Sequence, residues 1–149
     1  MNENLQTVAD SVKAILKDTN LADTVESVIQ RLVSFGYEPI EDDAWLIAYS
    51  IKGSVNHVLN EINHKTVPDG LFEIVVDMIC GEVLNAKFLS GQLDITGLDL
   101  DGMIQSVKEG DTQVNFSTEG SDEAKLQGLL SWLIQGKGSD LICYRKMRW

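Results

Sequence analysis

The sequence predicts a mainly α protein: a small helical bundle with one β-hairpin and an extended C-terminal tail. Three observations carry this. Apolar residues recur at spacings of three and four along several long segments, bounded by capping residues and glycines. The period changes once, around residues 103–116. The length of 149 residues is that of a single core.

The first helical stripe is Leu5, Val8, Val12, Ile15 and Leu16. Asp18-Thr19-Asn20 breaks it, and Asn20 is expected to cap the next helix, with Asp23 three residues on. Leu21, Val25, Val28, Ile29, Leu32 and Val33 form the second stripe, which Gly36 ends. The third run opens on Glu41-Asp42-Asp43, acids suited to the positive end of a helix dipole. It continues through Ala44, Ile47, Ala48, Ile51, Val55, Val58, Leu59 and Ile62, with Gly53 inside it. A mid-helix glycine weakens the helix by about 1 kcal/mol relative to alanine, or marks the close approach of another backbone.

Thr66-Val67-Pro68-Asp69 is a helix start: a capping threonine, a proline in the first turn, then an acid. Leu71, Ile74, Val75, Met78, Ile79, Val83 and Leu84 make the most apolar stripe of the chain. The helix over residues 68–89 is therefore expected at the centre of the bundle. The core is expected around Ile74, Val75, Met78, Ile79 and Leu130. Ser90-Gly91 ends that helix, and the glycine- and aspartate-rich stretch 91–102 reads as a surface loop. Next, Glu109-Gly110-Asp111 lies between two short runs, and Val114 and Phe116 alternate with polar residues, which predicts the hairpin. An isolated hairpin is marginal in water, so it must lie on the helices or on another subunit. Ser121-Asp122-Glu123 then caps a last helix with Leu126, Leu129, Leu130, Leu133 and Ile134 as its stripe, and Gly136 and Gly138 end it.

Composition narrows the function. The 23 acidic residues exceed the 12 basic ones, for a formal charge of −11, which argues against gripping DNA or an anionic membrane by general electrostatics. No membrane span is expected, and the start MNENLQTVAD has neither the basic nor the apolar region of a secretory signal. The cytoplasm of the producing cell is the expected place of synthesis. Cys80, in an apolar helical run, reads as a reduced buried thiol, and Cys143 reads similarly.

Charge is unevenly placed. Residues 1–140 hold nine of the bases and every acid, a net charge of −14; residues 141–149, LICYRKMRW, carry +3 and no acid. An acidic body of residues 1–140 with a cationic aromatic tail of residues 141–149 points to an intermolecular contact. The other reading is that Leu141, Ile142 and Tyr144 pack on the chain's own core, with the basic residues solvated.

Motifs for chemistry are weak. His57, Glu61 and His64, at i, i+4 and i+7, resemble a zinc set on one helix face but lack the adjacent glutamate of HExxH. Asp94, Asp99 and Asp101 lack the spacing of a calcium loop. No nucleophile elbow or glycine-rich phosphate loop occurs. The sequence reads as a non-enzyme with no catalytic residue, metal or cofactor.

The pieces SVKEGDTQVNF, STEGSDEAKL, the helix that follows, and the close LICYRKMRW resemble the head–tail connector (adaptor, or head-completion) proteins of tailed phages and prophages of Gram-positive bacteria. The helix VPDGLFEIVVDMICGEVLNAKFLSG is similar to a helix of the same family, and the likeness spans residues 40–149. The resemblance implies a structural virion protein in the neck, made in the bacterial host cytoplasm. Such proteins form a homo-oligomeric ring of about twelve copies beneath the portal. The ring extends the DNA channel, and DNA passes without specific binding. The implied partners are the portal protein and the next neck or tail protein, with no membrane. In that setting the hairpin, through Lys108, Glu109, Gly110, Asp111, Val114 and Phe116, lies across a neighbouring subunit. The tail reaches the portal with Leu141, Ile142, Tyr144, Arg145, Lys146, Arg148 and Trp149. The alternative function is a cytoplasmic helical interaction or regulatory module whose basic aromatic tail binds a partner.

Overall fold

The computed structural model describes residues 2–110, 121–135 and 138–147, with residues 107–110 and 138–140 described by backbone alone. Helix α1 (Glu3–Leu16) starts where the Asn2 side chain accepts the Leu5 N–H at 2.8 Å. It ends at Lys17, whose left-handed backbone directs its N–H to the Lys13 carbonyl. Asp18, rather than Asn20, makes the next cap: its carboxylate accepts the Asn20 N–H at 2.9 Å and opens a 3-10 turn that leads into α2 (Ala22–Ser34). A second 3-10 turn, Glu41–Asp43, feeds α3 (Ala44–Ile62), and a third, Asp69–Leu71, feeds α4 (Phe72–Leu89).

The next element corrects the sequence reading. Residues 103–110 were expected in the hairpin's first arm and turn, and 91–102 in a loop; instead Leu100–Gly110 is a helix, α5. No strand occurs among the described residues. Leu100, Met103 and Ile104 stand at helical spacing and are all buried, so one face of this segment pays for a helix by packing on the core. Asp99 caps it, accepting the Gly102 N–H at 3.1 Å on Oδ1 and the Met103 N–H at 2.9 Å on its carbonyl. Lys108, Glu109 and Gly110 are therefore helical, while Asp111, Val114 and Phe116 lie outside the described residues. Helix α6 (Asp122–Gln135) begins at Ser121, whose hydroxyl accepts the Ala124 N–H at 3.2 Å. A short α7 (Gly138–Cys143) occupies the start of the expected extended tail.

Helix α4 is the hub. It packs on α2, α3 and α6, and its buried residues Val75, Val76, Met78, Ile79, Cys80, Gly81, Val83 and Leu84 run around most of its circumference. A helix apolar on all sides must be enclosed. Four of the five expected core residues are buried with it: Val75, Met78, Ile79 and Leu130. Ile74 is only half-buried, at the mouth of a groove shared with Trp132. Gly81 sets the distance to α6: a β-carbon there would lie 2.9 Å from Leu133 Cβ. Gly36, at φ +92°, lets the end of α2 meet the 97–99 backbone, where the Asp99 N–H bonds the Phe35 carbonyl at 3.0 Å.

Two polar ties lock the helices around α4. Arg31 of α2 bonds Asp77 of α4 at 2.8 Å and Ser106 of α5 at 3.0 Å, and its guanidinium lies 4.4 Å from the centre of the Phe35 ring. Asp43 is buried before α3. Its carboxylate accepts from Tyr37 Oη at 2.6 Å, the Ile40 N–H at 3.1 Å and Lys87 Nζ at 2.7 Å. Burial first, and then the Asp43 carboxylate, push the Tyr37 hydroxyl well above the ordinary tyrosine value. The Cys80 thiol is raised by burial and by Asp77, against the opposing charge of Arg31, which holds it as an unreactive core group.

Two outcomes follow. Ile79→Ala removes a fully buried side chain from the hub and is expected to lower the unfolding free energy by about 2–5 kcal/mol in urea titration; a loss below about 0.5 kcal/mol refutes this packing. The raised Tyr37 group keeps its proton in the fold while the unfolded chain releases it, so its contribution is intact below about pH 10 and lost above it. Urea titrations across that range should show a shallower alkaline loss for Tyr37→Phe than for the parent chain.

Candidate docking surface

The end of α3 leaves backbone carbonyls without helical partners. Asn63 turns left-handed there, at φ +58°, and the chain from residue 141 onward returns to close the end. The Lys146 N–H bonds the Ile62 carbonyl at 2.8 Å, and Asn63 Nδ2 donates to the Lys146 carbonyl at 3.4 Å. His64 Nε2 donates to the Tyr144 carbonyl, which fixes the proton on that nitrogen. Leu141 is buried in the core, and the Tyr144 ring lies on Gly70, where a β-carbon would collide with it. A glycine in the Asp69–Leu71 turn thus makes room for the tyrosine.

This geometry sorts the residues expected to bind a partner. Leu141 and Tyr144 face inward and close the chain's own fold, as the second reading of the tail has it for these two but not for Ile142. Ile142, Arg145 and Lys146 face solvent, with Ile142 66% exposed. Arg148 and Trp149 lie outside the described residues. Met147, which periodicity does not single out, is 74% exposed beside the two bases. The result is an exposed ridge with Arg145 and Lys146 between Ile142 and Met147, held by one backbone bond to Ile62 of α3 and by the Asn63 and His64 side chains just beyond it. An exposed unbranched methionine is an adaptable contact group.

His57, Glu61 and His64 do not share one helix face. Helix α3 ends at Ile62, so His64 stands beyond the cap, and its Nε2 is engaged by Tyr144. Asp94 and Asp99 act as local caps: Asp94 accepts the Thr96 N–H at 3.1 Å and the Thr96 hydroxyl at 2.6 Å. Among the described residues, no three histidine, cysteine or acidic side chains are grouped to hold a metal. None of the described helices is long and apolar enough to cross a membrane.

Periodicity also missed an aromatic pair. Trp45 and Tyr49 stand off the buried stripe of α3, one turn apart, with ring centres 5.8 Å apart and planes inclined by 32°. They are 59% and 66% exposed. The signal was present in the sequence: two large aromatics out of phase with Ala44, Ile47, Ala48 and Ile51 belong to the outward face. No family model, curated protein or solved structure matches the chain.

Proposed function

We propose that the chain is a structural assembly protein that works by docking, as a ring-forming connector between the head and tail of a phage particle. The observation that carries the reading is the clasped C-terminal ridge. An acidic molecule presents Ile142, Arg145, Lys146 and Met147 from a segment pinned to α3, so the ordering cost of docking is largely met before a partner arrives. The family resemblance of residues 40–149 supplies the partner: a portal ring, with the next neck or tail protein on the other side. The strongly acidic body suits a passage through which DNA slides without adhering, because its charge repels phosphate. A ring of this kind closes through heterologous contacts, each subunit meeting the next by the same rotation.

The test is binding to purified portal rings together with assembly in infected cells. Trp149→Ala should weaken portal binding by about 2 kcal/mol or more, as an aromatic anchor does, and Lys146→Ala by less. Only the lysine change should reduce the salt dependence of association. Particles made with Arg145→Glu/Lys146→Glu should contain filled heads without tails. Normal tailed particles from that variant would refute the connector reading. They would favour the host regulatory module, whose loss leaves capsid–tail joining untouched.

A further inference from the structure

We infer that the free chain pairs with a second copy of itself through the outward face of α3, the two helices running antiparallel about a two-fold axis. At 100° per residue, Trp45, Tyr49, Lys52 and Asn56 fall within about 60° of one another on that face. The first half of the face carries protrusions, the exposed Trp45 and Tyr49 rings. The second half carries hollows. At Gly53 a β-carbon would meet nothing within 4 Å. On the other side of the face, Lys52 and Asn56 border a cavity of about 400 Å³ that Leu21, Val55, Leu59 and Asp18 also line.

A single chain cannot fill its own hollows, because Trp45 and Lys52 are about 10 Å apart along one rigid helix. An antiparallel second copy fills them. The axis that sets Tyr49 opposite Gly53 of the second copy also carries Trp45 over the cavity that copy's Lys52 and Asn56 border, where the ring meets apolar side chains and the lysine together, and symmetry repeats both contacts. Charge selects the same orientation. Exposed Glu38, Glu41 and Asp42 flank the aromatic end of α3. Exposed Lys65, Arg145 and Lys146 stand at the other end, with Glu61 beside the last two and Asp18 across the cavity from Lys65. Antiparallel pairing brings the acidic end of each copy to the basic end of the other, whereas parallel pairing stacks like on like. Fully burying an aromatic hides roughly 150–250 Å²; at 59% and 66% exposure the four rings have about 400–600 Å² left to bury, before the flanking charged side chains are added. That is the range of a weak, reversible dimer. The inference concerns the free chain and goes beyond the ring reading: it centres on Trp45 and Tyr49, which that reading does not use, and shares with it only the charge of Arg145 and Lys146.

The experiment is sedimentation equilibrium of the full chain over a wide concentration range, with circular dichroism melts as a check on folding. The parent should show a monomer–dimer equilibrium that weakens in high salt. Trp45→Ala should raise the dimer dissociation constant at least about tenfold, and Gly53→Gln, which fills a hollow, should do the same. Trp45→Ala should leave the melt unchanged, since the ring faces solvent, and Gly53→Gln should hold or raise it, since glycine weakens a helix interior. In a Cys143→Ser background, Lys52→Cys lies close to the two-fold axis and should form an intermolecular disulfide with its own counterpart. If the chain assembles but Trp45→Ala changes nothing, this inference fails and the ring reading stands. If Trp45→Ala breaks assembly but Lys52→Cys, whose thiol is exposed where that of Cys80 is buried, does not cross-link, the face is used head to tail and the two-fold pairing is overturned. A parent chain that is monomeric throughout overturns the pairing and counts against the ring as well.

Discussion

Enclosing α4 is the constraint on which the rest of the structure depends. Its buried residues leave no broad polar face toward water, so the chain has to surround it with α2, α3 and α6. The close approach at Gly81 brings α6 against it, and α6 in turn carries α5. The amphipathic helices differ in role: each offers α4 an apolar stripe and keeps a polar side outward. Exposed features such as Trp45 and Ile142 then sit on surfaces whose positions are set by the hub.

Apolar burial alone does not fix how the surrounding helices are rotated. Two charged ties add that information. Arg31 reaches α4 and α5 at once, and both members of its ion pair with Asp77 are partly shielded from solvent. Asp43 and Lys87 are more deeply placed, with side-chain exposures of 2% and 12%. A buried pair of this kind contributes little net stability over an apolar substitute, yet leaving one partner alone is costly. Its effect is therefore on specificity: α3 enters the bundle at the one angle that lets Asp43 reach Lys87, Tyr37 and the Ile40 amide together.

The helical stripes were legible from spacing alone, because 3.6-residue periodicity is a local property written within each segment. What was illegible depended on partners distant in sequence or on caps that resemble loops. Asp99 and Gly102 look like turn residues, and their capping bond makes the start of a helix instead. Asp43 looks like one of three solvated acids; only Lys87, in a different helix, makes it a core group. Tyr144 was expected at a partner contact, with packing on its own core as the other reading, and its ring over Gly70 turns it inward. The outward Trp45 and Tyr49 were readable as off-stripe aromatics. Their relation to Gly53 depends on the full α3 surface and on the loops that shape its hollows.

The clasp at the end of α3 also orders events during synthesis. Its bonds join groups separated by 80 residues in the case of His64 and Tyr144, and by 83 in the case of Asn63 and Lys146. Closing so long a loop costs entropy that local helix formation does not. While the chain emerges from the ribosome, α3 must stand with its last carbonyls open to water until residues 141–147 have been made. The exposed ridge therefore takes its shape only after the bundle that supports it is in place. A chain halted before residue 141 lacks that surface, because the residues that form it and the bond that holds it are both missing.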